Sequence, residues 1–315
     1  VVTGVSVTVL STTSVQVDYT MPAQTGAGPV TQIKFQYGVP PYNNWTTLFL
    51  APDLSGSFTV TGLTASTTYK VNIVALNSVG MGPAAESAAF TTFGAPSVTA
   101  APSLAGTAAV GQTLTATEPV GMLTGNPAPA IDSRAWYRCP TTRAAGDSVA
   151  DCTAISGATA TTYSVASADT SSYLVFAANG SNSQGSAQAR SASTAIIANV
   201  PTAPSATLLS LNGSGSVSVT LTPGLANNSA ITGYEYELNG SGNWVSTGST
   251  ATTFTVGSLT NGTQYALRIR AINSVGTSAA SSAANVTPLA APTAGAATRG
   301  DSQLALSWAA TPGAT

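Results

Sequence analysis

The chain contains no histidine, and that absence removes several kinds of chemistry at once. A histidine-based triad, a histidine metal site and a histidine pH switch are all excluded. Charge is nearly as scarce. Nine Lys and Arg with eleven Asp and Glu make up 6% of 315 residues, against about 25% in an ordinary domain. The net charge of −2 offers no basic face, so no nucleic acid is expected as a partner. No apolar run approaches the roughly 20 residues of a membrane-spanning helix, so no spanning segment is expected in this stretch. Cysteine occurs twice, without a C-x-x-C redox motif. The chain begins at Val1 without Met or a signal peptide, which reads as a processed terminus or an internal cut.

What is present is apolar and hydroxyl-rich. Apolar residues reach 43%, and Thr, Ser, Ala and Gly fill the positions that charge leaves. Such a surface has little self-repulsion. It suits close packing against copies of itself or a glycan coat, and it offers trypsin only nine sites. The length suggests two or three domains, each large enough for its own core.

The stretch Phe58 to Gly80, FTVTGLTASTTYKVNIVALNSVG, recurs at Phe254 to Gly276 as FTVGSLTNGTQYALRIRAINSVG, with 13 of 23 positions identical at an offset of 196. In it Tyr69, Val71, Ile73 and Ala75 alternate with Lys70, Asn72 and Val74; in the copy Tyr265, Leu267, Ile269 and Ala271 alternate with Arg268 and Arg270. Period two with one polar face predicts an antiparallel sheet covering a core on one side. These residues resemble the E–F half of a fibronectin type III domain. Leu63 with Tyr69, and Leu259 with Tyr265, resemble its tyrosine corner, in which the hydroxyl bonds back to the backbone. The resemblance implies an all-β fold of tandem antiparallel β-sandwiches, fibronectin type III and immunoglobulin-like, in a rod-like array.

Four units are expected. Residues 1–93 are fibronectin type III-like, with Val5, Val7 and Val9, then Val15, Val17 and Tyr19, as the first two strands. Ile33, Phe35 and Tyr37 form strand C, matched by Tyr234, Tyr236 and Leu238. The loop Val39-Pro40-Pro41-Tyr42 reads as a stiff hairpin loop, or as an aromatic–proline surface for sugars or peptides. Residues 94–199 resemble an immunoglobulin-like domain, with Trp136 as its core tryptophan and Asp169 to Tyr173 as a D-x-x-x-Y tyrosine corner. That family's inter-sheet cysteines would fall near Ala116 and Val175, and neither is cysteine. The segment WYRC…DCTAISGAT resembles bacterial immunoglobulin-like repeats of large surface proteins. By that resemblance Cys139 and Cys152 pair and close the loop after strand C, which implies an oxidising, extracytoplasmic location. Residues 200–289 are fibronectin type III-like again. Residues 290–315 read as the first strands of a further such domain, with Leu304, Leu306 and Trp308 as its core face. Either the chain continues beyond Thr315, or this hairpin completes a sheet in another subunit. The junctions Ile196 to Pro204 and Val286 to Pro292 are short and Pro-bearing, which argues for a semi-rigid rod. Three domains end to end would span on the order of 110 Å.

Candidate chemistry is sparse. Asn-Ser-x-Gly recurs at Asn77 to Gly80, Asn182 to Gly185 and Asn273 to Gly276. It resembles the F–G turn, and Gly there is expected to supply the positive φ of a tight hairpin. Arg299-Gly300-Asp301 spells an integrin-type motif and sits in a turn. Sequons occur at Asn44, Asn179, Asn212, Asn227, Asn239, Asn261 and Asn285, as chance produces in a chain rich in Asn, Ser and Thr. Glu235 and Glu237 read as outward, solubilising charges. No catalytic residue, cofactor or metal site is expected.

The sequence therefore points to an extracellular structural or adhesive protein: a surface fibre, sheath or stalk whose partners are copies of itself, other surface proteins or glycans. Two other readings stand beside it. One is an accessory array of a secreted carbohydrate-active enzyme. The other is a phage virion appendage.

Overall fold

Alternation decides which residues turn inward in the first sandwich. In strand Val15–Thr20, Val15, Val17 and Tyr19 are buried and Gln16 and Asp18 are not. That strand lies between Thr3–Val9 and Ser57–Val60, all antiparallel. The facing sheet has Gln32–Gly38 at its centre, flanked by Thr46–Leu50 and Thr68–Asn77, with short strands beyond. Ile33, Phe35, Val71 and Ile73 line the inner face of this sheet and share one core with Val15, Val17 and Val60 of the other. Burying each such aliphatic or aromatic side chain contributes roughly 1.5–3 kcal/mol. This computed structural model describes residues 1–21, 28–50, 56–211, 213–290 and 294–308.

The third sandwich repeats the arrangement. Ser205–Leu211, Val217–Thr222 and Thr253–Val256 form one sheet; Val245–Ser246, Gly233–Leu238, Tyr265–Ile272 and Ala284–Val286 form the other. The register is reproduced too. Val17 opposes Phe58 in the first sandwich, and Val219 opposes Phe254 in the third.

The second sandwich differs in its core. Trp136 is fully buried, packs its ring at 5.4 Å edge-on to Phe176, and donates its indole N–H to the Ala160 carbonyl at 2.9 Å. A buried indole is stable because that bond is made. Leu114 and Ala116 from strand Thr113–Thr117 close the other side. Across from Ala116 the core residues of strand Tyr173–Asn182 are Leu174, Phe176 and Ala178. Val175 is buried, but as their alternate it lies on the opposite face of the strand. Leu174 and Phe176 therefore share the core with Ala116, and Val175 does not.

Beyond the third core, Ala294–Gly300 and Gln303–Trp308 form a two-stranded hairpin. Leu304, expected on a core face, is 64% exposed. No second sheet packs on this hairpin among the described residues, and the side chains of Leu306 and Trp308 lie outside them. Pro292 lies outside the described residues.

Candidate functional site

The carboxylates are the first place to look for chemistry, and they are occupied. Glu118 receives both arms of Arg134 at 2.7 and 2.8 Å, and that bond raises the Arg134 pKa above its ordinary value. Asp169 pairs with Arg138, Asp151 with Arg143, and Glu86 with Lys70 at 3.9 Å. Glu235 stands directly opposite Arg270 and meets it at 2.6 Å; Glu237 stands opposite Arg268 at 3.7 Å. Glu237 is not the solvated charge expected. Its side chain is 5% exposed, and it accepts the Gly242 N–H at 2.9 Å. Alternation puts both glutamates on the outer face, as expected, but a layer of arginine covers that face. Arg270 in turn lies 4.2 Å from the Trp244 ring centroid. Among the described residues no group of three or more His, Cys, Asp or Glu could hold a metal. No helix of the described residues is long and apolar enough to cross a membrane.

Two tyrosine hydroxyls bond back to the backbone. Tyr69 accepts the Thr64 N–H at 3.0 Å and Tyr265 the Thr260 N–H at 3.0 Å. The bond from Thr260 favours the phenolate and holds Tyr265 below the ordinary 10.0. The second sandwich departs from this pattern. The Tyr173 hydroxyl has no hydrogen-bond partner among the described residues, and the corner is built on Asp169. That buried carboxylate accepts the Tyr163 hydroxyl at 2.8 Å, the Ala166 N–H at 2.8 Å and the Arg138 guanidinium. Burial, then the bond to Asp169, pushes Tyr163 above 10.0. Neither Arg138 nor Tyr163 stands out in the sequence. The available signal is that a buried Asp requires partners.

Cys139 and Cys152 form a disulfide. The loop it closes is pinned again to the neighbouring strand. The Gly146 N–H donates to the Arg190 carbonyl at 3.1 Å, and Arg143 and Ser193 exchange backbone and hydroxyl bonds at 3.0 Å.

The outer surfaces carry the remaining candidates. In the Val39 to Tyr42 loop, Tyr42 stacks on Trp45 at 6.1 Å and Lys70 lies 5.1 Å from the Tyr42 centroid. The adjoining edge strand Thr46–Leu50 is uncharged and exposes Leu48 and Phe49. The corresponding edges of the second and third sandwiches, Thr153–Ala154 and Val245–Ser246, are two residues long. Arg299, Gly300 and Asp301 reach the tip of the last hairpin, where Gly300 opposes Gln303 and Ser302 has φ +59. Among the sequons, Asn44, Asn239 and Asn285 are exposed, while Asn179, Asn227 and Asn261 are half-buried. Asn212 lies outside the described residues.

The Asn-Ser-x-Gly motif forms the F–G turn in all three sandwiches, but glycine is only half of it. Gly80, Gly185 and Gly276 have φ of 150, 150 and 157, which favours glycine. The asparagine oxygen meanwhile accepts the turn's N–H groups: those of Val79 and Gly80, of Gln184, and of Val275 and Gly276. Its amide is then free to reach elsewhere. Asn182 donates to Gly94 and Pro127, and Asn273 to Asn199, Ala226 and Ser229.

The family model for the fibronectin type III domain matches residues 1–92 and 202–287. No curated protein sequence matches the chain. Among solved structures, the chicken CNTN1 FN1-FN3 domains are 17% identical, with 90% of this chain and 97% of that one covered at a TM-score of 0.34. Domains A168-A170 from titin are 18% identical, with the same 90% and 97% covered and a TM-score of 0.33. The titin kinase and its flanking domains are 26% identical over 28% of this chain and 16% of that one, at a TM-score of 0.26.

Proposed function

Because the chain belongs to the fibronectin type III family through residues 1–92 and 202–287, we propose that it is an extracellular structural or adhesive array. It serves as part of a surface fibre, sheath or stalk. In this reading the units run 1–93, 94–199, 200–289 and 290–315, and the second is an immunoglobulin-like repeat of the bacterial surface type. The observation that carries the proposal is how charge is used. Six of the nine cations, Lys70, Arg134, Arg138, Arg143, Arg268 and Arg270, are held in ion pairs inside one sandwich. Little charge remains to steer a ligand or activate a nucleophile. Contact then falls to uncharged faces and edges such as Thr46–Leu50. The partners are copies of the chain, other surface proteins or glycans. The Cys139–Cys152 disulfide supports an oxidising compartment.

The stacked Tyr42 and Trp45 favour one second reading, the accessory array of a secreted carbohydrate-active enzyme, since flat aromatic pairs suit sugar rings. Electron micrographs of the native, full-length protein separate the two. Ordered fibres, or rods on a cell surface, are expected. Rods ending in a large catalytic globule would favour the second reading. A full-length protein that stays monomeric at high concentration and binds no surface would sink the first.

A further inference from the structure

Each sandwich begins where the preceding one ends, and the same device recurs at both junctions. At the first, the Asn126 amide, at the end of strand Leu123–Asn126 between strands B and C of the second sandwich, donates back to the Thr91 and Thr92 carbonyls at 2.5 and 3.2 Å. Asn182, in the F–G turn, ties the start of that sandwich down by bonding Gly94 and Pro127, both at 2.8 Å. The Phe93 carbonyl accepts the Ser66 N–H at 3.1 Å, and Gly94 sits so close to the Ser66 side chain that no Cβ fits there. At the second junction, the Asn228 amide donates to the Ser171 hydroxyl at 2.9 Å and the Ile197 carbonyl at 3.0 Å. The Asn227 amide meets the Val200 carbonyl at 2.7 Å, and the Asn227 carbonyl accepts the Asn199 N–H at 2.9 Å. Asn273, buried in the F–G turn, holds the Asn199 carbonyl at 2.8 Å. A Cβ at Gly276 would lie 3.1 Å from Val200.

Asn227 and Asn228 have φ of +52 and +63, a region that costs most residues energy and that asparagine tolerates. Two successive residues held there turn the Asn228 amide onto the preceding sandwich and the Asn227 amide onto Val200 at the joint. That the device appears in an immunoglobulin-like and a fibronectin type III-like sandwich shows it belongs to the junction and not to one fold.

We infer that these paired asparagines are interdomain clamps that lock successive sandwiches at fixed orientation, so that the three move as one stiff rod. Asn126 grips Thr91 and Thr92 at the end of the first sandwich, and Asn228 grips Ser171 and Ile197 of the second. Asn182 and Asn273 fix the start of the following sandwich at Gly94 and Asn199. A tether without such bonds swivels, because linker carbonyls and amides are satisfied equally well by water. A fixed joint transmits bending and tension along the array. This inference holds whether the rod stands on a cell or elsewhere.

The test is amide hydrogen exchange on the full chain, with small-angle X-ray scattering alongside. In the native chain the Asn199 and Thr202 amides should exchange at least 100-fold more slowly than open linker amides. Asn228→Gly keeps the positive φ and removes only the grip. It should speed joint exchange by about 10-fold, as loss of its bonds predicts. Asn273→Asp keeps the oxygen that holds the turn and replaces the donor with an acceptor facing three carbonyls. It should act more strongly and broaden the distribution of end-to-end distances. Protection of Trp136 and Ile269, deep in the two cores, should be unchanged in Asn228→Gly. If Asn273→Asp also loosens the third core, Asn228→Gly still decides, because its amide reaches only across the joint. Native joint amides exchanging like open linker, or variants with unchanged joint exchange and scattering, would overturn the clamp.

Discussion

A hydroxyl in two of the three corners holds a turn that the rest of the sandwich folds around. Tyr69→Phe and Tyr265→Phe each leave a backbone N–H without its partner. Tyr69→Phe should cost about 1 kcal/mol, and Tyr265→Phe should destabilise the third sandwich in the same direction. Hydrogen exchange of the first and third cores reads this directly. Tyr173→Phe should change stability by less than about 0.5 kcal/mol, since its hydroxyl holds nothing among the described residues. The weight in the second sandwich lies on Asp169. Asp169→Ala would strand Arg138 and Tyr163 together, and the loss should be about 3 kcal/mol, at the low end for a broken buried pair because Arg138 is partly exposed. Tyr163 adds a pH dependence whose sign follows from its raised pKa. A folded value above the unfolded 10.0 stabilises the neutral phenol, so its contribution is complete below pH 10 and is lost as pH rises through the folded value. Melting of the second sandwich should fall above that pH, and Tyr163→Phe should flatten the fall.

At the scale of the element, the Cys139–Cys152 loop and the long central strands carry the second sandwich. Replacing both cysteines with alanine should cost about 3 kcal/mol on the chain-entropy account. Reductant should reproduce the loss in the melting of that sandwich alone. The loop should stay docked, because Gly146 and Arg143 hold it to the next strand independently. In strand Tyr173–Asn182, Gly180 faces the Ala130 carbonyl, where a Cβ would stand 2.7 Å away beside the register slip at Ile131 and Ser133. Gly180→Ala should therefore destabilise by about 2 kcal/mol, as overpacking does. Much at this scale is legible in sequence because period two and recurrence are local signals. Tyr69 and Tyr265 announce the same corner twice, and Val15, Val17 and Tyr19 announce a buried face. The misses have one cause. Glu237 is buried by Arg268 from a strand 31 positions away, and Asp169 is claimed by Arg138 across a similar gap. Alternation says which face a residue is on, but not what covers that face. The Asn-Ser-x-Gly motif shows the same limit, since its turn is visible in sequence and its grip on the linker is not.

For the molecule as a whole, scarce charge and clamped joints bear on how copies meet. Ordinary surfaces carry charges of both signs that keep neighbours apart in low salt and are screened at high salt. Here most cations are neutralised within a few ångströms by their own sandwich, so little field extends past the surface. Association through Thr46–Leu50 or other uncharged faces would then rest on backbone pairing and apolar contact. It should survive about 1 M sodium chloride, where the screening length falls to about 3 Å. Sulfate, which strengthens apolar burial by exclusion from the surface, should promote it. Light scattering across a chloride and a sulfate series distinguishes the cases. Dissociation by chloride would mean that the few remaining charges, Lys34 or Arg299 among them, carry the contact. A rod with fixed joints adds a condition of its own. Copies that pair at one edge strand are held parallel over the whole array, so weak contacts along the three sandwiches act together. Asn228→Gly, remote from that edge, should then weaken association as well as loosen the joint. Leu48→Lys should abolish association and leave the joint intact. Sedimentation of the two variants beside the native chain tells edge from joint.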